Sequence, residues 1–425
     1  MPYPEMFSLR QVFPRERETD VAAAVRRELG RVLVPARPKS GARVAITVGS
    51  RGIHGLAEII RTAVDELKSL GLNPFIFPAM GSHGGGTAEG QSGIIARYGV
   101  TESAMGCPVL SGMAVVKIGQ SHKGIPVFLD RNAFDADHVV VVNRVKAHTE
   151  FKGEIESGIM KMMLIGMGKQ EGARVYHKAF AGHGFDGLAE ELASIVIEKA
   201  KVLCALAIVE NAYDETALIR SLAPGEIVAS ERLLLRKAKE IAPKLPSDAI
   251  DVLIVDQMGK NLSGAGMDTN VIGRFYNLVA KEPEKPKIKR IYVRDLTDES
   301  LGNAAGIGLA DFVHRSVIGK MDSRATAVNC LVAGNPEKGR VPIVCETDRE
   351  AMEYCLGTIG LTPAEDARVV RIRSTLHLTD VEVSRSLVRE LDGRADVKVL
   401  SGPRPLAFDE RGNLEEMTRQ NPATP

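Results

Sequence analysis

The sequence predicts an α/β protein of two domains, each with a mainly parallel sheet flanked by helices. Three observations predict it. Short β-branched runs alternate with amphipathic helical stretches from about residue 43 onward. Polar and basic residues collect directly after the strand-like runs, where a parallel sheet presents its carboxyl edge. A basic helix-like stretch, punctuated by Pro243 and Pro246, separates two such series. At 425 residues there is room for two or three cores. The boundary is expected near residue 245, giving domains of 1–245 and 246–425.

The elements follow in order. ARVAITVGS reads as a buried strand ending in a Gly-Ser turn. IHGLAEIIRTAVDELKSLG has apolar positions at helical spacing and a stop at Gly71. NPFIFPAMGSHGGGT is a second strand that runs into a Gly-rich loop. HVVVVNRVKAH repeats the strand-then-basic pattern, and LCALAIVEN is another strand with a polar tip at Glu210 and Asn211. SERLLLRKAKEIAPKLPSDA is the separating helix. IDVLIVDQMGKN and KIKRIYVRDLTDES open the second strand series. The closing SGPRPLAFDERGNLEEMTRQNPATP is polar and Pro-containing, expected to be partly ordered with a frayed tail.

Composition narrows the function. Lys plus Arg (55) nearly balances Asp plus Glu (54), so no basic field recruits nucleic acid or an anionic membrane. The N-terminal stretch has no uninterrupted apolar core of a secretory signal, and no apolar run reaches the length of a membrane span. A cytoplasmic protein is expected. Five cysteines without a C-x-x-C pair give no support to a disulfide framework, a zinc ribbon or an iron–sulfur cluster.

Chemistry concentrates in NRVKAHTEFKGEIESGIMKMMLIGMGKQEGARVYHK, which holds His148, Lys161 and His177 among glycines and a Met-rich run. A lysine on an apolar stretch is poorly solvated, a candidate for a lowered pKa or covalent attachment. Two imidazoles nearby suit a metal ligand and a general base. A Gly-rich loop leading into a core helix, with the lysine at its edge, explains the same residues without chemistry. Three other strand ends carry polar groups: Ser50 and Arg51; GSHGGGTAE with His83; and DQMGKN with Gln257 and Lys260. Arg51 as a surface cap, His83 as a turn residue, and Gln257 with Lys260 as loop polars are the plainer readings. As a set, Arg51 and Lys260 suit a carboxylate, while His83 and His148 suit proton transfer in both directions near neutral pH.

In the order and context of these pieces the chain resembles the lactate racemase superfamily, whose members use a nickel-pincer nucleotide. The resemblance covers most of the chain. It rests on SR at 50–51, GSHGGGTAE at 81–89, the His148-to-His177 block and DQMGK at 256–260. It implies His83 and His148 as the catalytic histidines, and Arg51, Gln257 and Lys260 as substrate-binding residues. Ser50, Lys161 and His177 fall at the cofactor, with His177 the nickel ligand and Lys161 a covalent or noncovalent anchor. It places the active site in an interdomain crevice, in which domain 1–245 holds the cofactor and domain 246–425 adds substrate contacts. The implied reaction is racemisation or epimerisation of a 2-hydroxy acid, by reversible hydride transfer from Cα. A larger sugar acid as substrate, or a non-catalytic nucleotide- or metal-binding protein, are the alternatives. Cofactor-synthesis proteins are implied partners, and a homo-oligomer stays open. Val48 and Gly52 depart from the acidic residue and proline of well-known lactate racemases. The particular 2-hydroxy carboxylate is therefore left open, with one longer or more polar than lactate among the candidates.

Overall fold

The computed structural model describes residues 2–150, 152–276 and 282–417. Two units make up the chain: Pro14–Ala242, and Met1–Phe13 together with Pro243–Pro425.

In the unit Pro14–Ala242 a five-stranded sheet has the spatial order Asn73–Pro78, Arg43–Val48, His138–Arg144, Val202–Glu210, Thr216–Leu222. The first four are parallel, and the last runs antiparallel to its neighbour. The strands are near-continuous apolar runs because both faces are covered. Val44, Ile46, Val140 and Val142 face helices Val21–Ala36 and Leu56–Ser69. Ala45, Val139 and Val141 face the Met-rich segment and helices Asp186–Lys199 and Ile227–Ile241. Helix Leu56–Ser69 ends where expected, with Gly71 at φ +74° just past its cap. A separate hairpin, Val115–Gln120 with Pro126–Asp130, lies outside the sequence expectation.

The other unit holds an eight-stranded sheet. Its order is Ile343–Cys345, Phe312–His314, Lys287–Val293, Ala249–Val255, Val369–Ile372, Asp380–Ser384, Glu5–Gln11, Val397–Pro405. Neighbours among the first five are parallel, and the last three strands pair antiparallel. An N-terminal domain beginning at residue 1 does not match this division. Residues 5–11 pair instead with strands 370 or more positions later, burying Met6 and Leu9 at 1% exposure each. The polar C-terminal stretch supplies one of those partners; its last residues, 418–425, on which the expected frayed tail falls, lie outside the described residues. Among the described residues no helix is long and apolar enough to cross a membrane.

Candidate active site

Parallel pairing sends three of the sequence-predicted loops to the same carboxyl edge of the five-stranded sheet: Ser50–Arg51, the His83 loop and the His148 loop. The His148 loop is closed at its base by a two-way backbone bridge between Lys146 and Ser157. Inside it the buried Glu156 carboxylate accepts the His148 backbone N–H at 2.6 Å and forms an ion pair with Lys239 at 2.7 Å. Lys152 Nζ donates to the His148 carbonyl at 2.7 Å. The backbone of His148 is thereby fixed from both sides.

The ring is fixed as well. Nδ1 of His148 accepts the Glu150 backbone N–H at 3.0 Å, and Nε2 lies 2.6 Å from Lys161 Nζ. A backbone N–H only donates, so Nδ1 must carry the lone pair and Nε2 the proton. Nε2–H then donates to Nζ, which requires the lysine as free amine. Electrostatics runs the same way. Burial first, then the charges of Lys161, His177, Lys152 and Lys146, hold the His148 imidazole well below its usual range. Burial brings the Lys161 ammonium down to about 8, with Lys146 and Arg51 adding to the fall and Glu150 opposing it. At pH 7 a group titrating there is still mostly protonated. The contact seen is that of the free base, which becomes the major form above about pH 8.

Lys161 sits in an irregular helical segment. Ile159–Lys161 opens as α-helix and Met162–Gly166 continues as a π-turn, with Met167 N donating to Met162 O at 2.9 Å. Such turns concentrate at functional sites. The start of the segment rests on Glu231, 0% exposed, whose carboxylate accepts the Met160 N–H at 2.9 Å. Gly158 is required there, because any Cβ would collide with Glu231 Oε1. Helix Lys169–His183 carries His177 and is held in rotation by Tyr176, whose hydroxyl accepts the Phe128 N–H at 2.9 Å. His177 is half-buried and its imidazole pKa is lowered by burial and by Lys161, which favours the neutral ring.

Ser50 lies beside this segment: a Cβ on neighbouring Gly49 would stand 3.0 Å from Met162 Cε, and the Ser50 carbonyl accepts Tyr98 OH at 3.2 Å. Glu210, at the tip of its strand, pairs with Arg144 and accepts the His54 N–H. Arg51 itself forms no hydrogen bond or ion pair among the described residues. Its guanidinium is exposed by area, yet surrounding protein strips enough hydration to lower its pKa. His83 stands on a loop in which Gly84 has φ +66° and no room for a Cβ against Gly90. That loop abuts helix Lys169–His183, with Gly81 against Ala173 and Gly86 against Gln170.

The structure therefore brings together Ser50, Arg51, His148, Lys161 and His177, with the His83 loop packed on the helix that bears His177. Gln257 and Lys260 belong to the other unit, directly after strand Ala249–Val255. There Lys260 Nζ donates to Asn329 Oδ1 at 3.0 Å and to the Gly264 carbonyl. Sequence reasoning missed Glu150, Glu156 and Glu231, which set the geometry and charge of the block. Glu150 and Glu156 lie within eight residues of His148, a visible signal; Glu231 lies 70 positions beyond Lys161 and gave none.

Comparison with known proteins bears on the first half of the chain and on the fold. Residues 11–187 match the family model of the lactate racemase N-terminal domain. Over that stretch the chain is similar to the lactate racemase N-terminal domain. The apoprotein of lactate racemase from Thermoanaerobacterium thermosaccharolyticum is similar in structure, with a TM-score of 0.53 and 14% identity. The match covers 85% of this chain and 93% of that one. At that identity the likeness speaks for the fold. A Thermotoga maritima protein, also 14% identical, reaches a TM-score of 0.47 over 66% of this chain and 71% of its own. No curated protein matches the sequence. All of the block from His148 to His177 falls inside the lactate racemase segment.

Proposed function

We propose that the chain is a racemase or epimerase of a 2-hydroxy acid that works with a nickel-pincer nucleotide. The observation that carries this reading is the His148–Lys161 contact, which sets a free-base amine and a neutral imidazole side by side.

The donor set fits the group. Lys161 offers a nucleophilic amine as covalent anchor, and His177 a neutral imidazole of the kind nickel accepts. Ser50 lies beside the same segment, in reach of the cofactor's polar edge as the family resemblance implies. Among the described residues no cluster of three His, Cys, Asp or Glu could hold a bare metal ion. One imidazole suffices for a metal that arrives within its own organic ligand. When bound, the nucleotide supplies a reversible hydride acceptor for the substrate Cα.

The chain's own residues bind, orient and move protons. The unpaired Arg51 guanidinium takes the substrate carboxylate, with Arg144 adding positive charge nearby. Gln257 and Lys260 are proposed as further substrate contacts on the resemblance alone. His148, held neutral by burial and the surrounding cations, is one of the two proton carriers for the substrate hydroxyl. His83 carries the proton for the opposite face, so that either enantiomer can be deprotonated and re-formed.

Single enantiomers from lactate to sugar acids, incubated with cofactor-loaded protein, test this by optical inversion and nickel content. Inversion of at least one member is expected. Turnover confined to substrates without the 2-hydroxy carboxylate would overturn the reading.

A further inference from the structure

Beneath the His83 loop lies a buried ammonium for which the acid–base chemistry has no use. Lys169 is 0% exposed and opens the helix of His177 with φ +55°, uncommon for a residue other than glycine. Its Nζ donates to the Pro78 carbonyl at 2.8 Å and to Gln91 Oε1, with Asp130 Oδ2 at 3.6 Å. Gln91, also 0% exposed, carries the link onward. Its Nε2 donates to Met80 O at 3.1 Å, Gly81 O at 2.9 Å and His83 O at 3.4 Å. Four carbonyls of residues 78–83 thus end on two buried side chains. Asp130 closes the circuit, its N–H donating to Met167 O at 2.7 Å.

Stability alone does not explain this arrangement. Burying an ion pair costs several kcal/mol per charge, and apolar residues of equal volume are often as stable or more so. Here the pairing is not even optimal, since Asp130 Oδ2 has no hydrogen-bond partner. What the charge does provide is direction: a lysine with acceptors at fixed points tolerates one placement of the loop, whereas a methionine would tolerate several.

We propose that Lys169, acting through Gln91, is the positioning residue that sets where His83 stands relative to the helix bearing His177. The catalytic half of this proposal rests on the reading of His83 as a proton carrier; the positional half does not.

Two variants test it. Gln91→Leu removes the amide group that donates to the loop carbonyls and leaves Lys169 in place. Lys169→Met combined with Asp130→Asn removes both charges, so that neither stays buried without its partner. Amide hydrogen exchange should quicken by roughly tenfold or more across residues 79–87 in both, and stay unchanged across 159–167. In cofactor-loaded protein kcat should fall by about tenfold or more with KM held within about threefold, since a base is displaced and the carboxylate site is not. Unchanged exchange at 79–87 in either folded variant overturns the proposal, as does a loosened loop with kcat intact. If the double variant does not fold, Gln91→Leu decides. If the unaltered protein inverts no 2-hydroxy acid, the functional reading fails and the exchange measurement alone judges Lys169.

Discussion

His148 Nε2 stands 2.6 Å from Lys161 Nζ, and the Glu150 N–H on the far side of the ring decides which nitrogen holds the proton. The pair is therefore a proton donor facing a free amine, an arrangement that surface lysines, protonated up to about pH 10, do not form.

Reactivity of Lys161 should follow from that. Labelling by a small amine-reactive ester, read by peptide mass, is expected to rise with a midpoint near the value of about 8 set by burial. An exposed lysine such as Lys39 serves as reference. A Lys161 midpoint above that of Lys39 would show that the amine is not depressed.

The three histidines should separate by readout. His83→Ala and His148→Ala are each expected to lose roughly 10²–10⁴ in turnover with nickel retained, the usual worth of a positioned acid–base group. His177→Ala should lose nickel instead. Full metal content in that variant would remove His177 as the ligand.

Glu231 makes stability depend on pH. Burial lifts its carboxyl from 4.5 to about 7, while the backbone N–H groups of Met160 and Ile159 pull the other way. Between those values the folded chain keeps a proton that the unfolded chain has released. Stability from this group is thus full below about 4.5 and falls as pH rises towards 7. Glu231→Gln, uncharged throughout, should flatten the slope, leaving a difference of about 1–3 kcal/mol above pH 7. Denaturant midpoints at pH 5 and pH 8 measure it; parallel slopes for the two proteins would mean that Glu231 titrates normally.

Leu9 is 1% exposed and packs with Leu253, Val381 and Val383. Leu9→Ala should destabilise by about 2–5 kcal/mol, the cost of a core cavity. Hydrogen exchange should place the loss among residues 243–417 and leave 14–242 as before. A loss confined to 14–242 would contradict the strand's assignment.

Much of this was legible because local pattern and tertiary role agreed. HVVVVNR reads as a strand covered on two faces and is one; His148 follows it as a loop residue and lies at the carboxyl edge. What was hidden depended on distance along the chain. EMFSLRQ buries Met6 and Leu9 only because strands near residues 380 and 400 flank it, and nothing within reach of residue 5 says so. The same holds for Glu231, an ordinary helix residue until the fold sets it under Gly158. The polar, Pro-containing end of the chain concealed a strand for a different reason: Val397–Pro405 is largely exposed and lacks the alternation of a half-buried one.

The placement of Glu5–Gln11 also has a consequence for biosynthesis. On the ribosome that heptapeptide is made some 370 residues or more ahead of the two strands that grip it. Residues 14–242 can collapse on their own contacts while it waits, its Met6 and Leu9 still in water. The second sheet can close only after residues 397–405 have been made, and a chaperone that shelters residues 5–11 until then would act on a vulnerability written into the strand order.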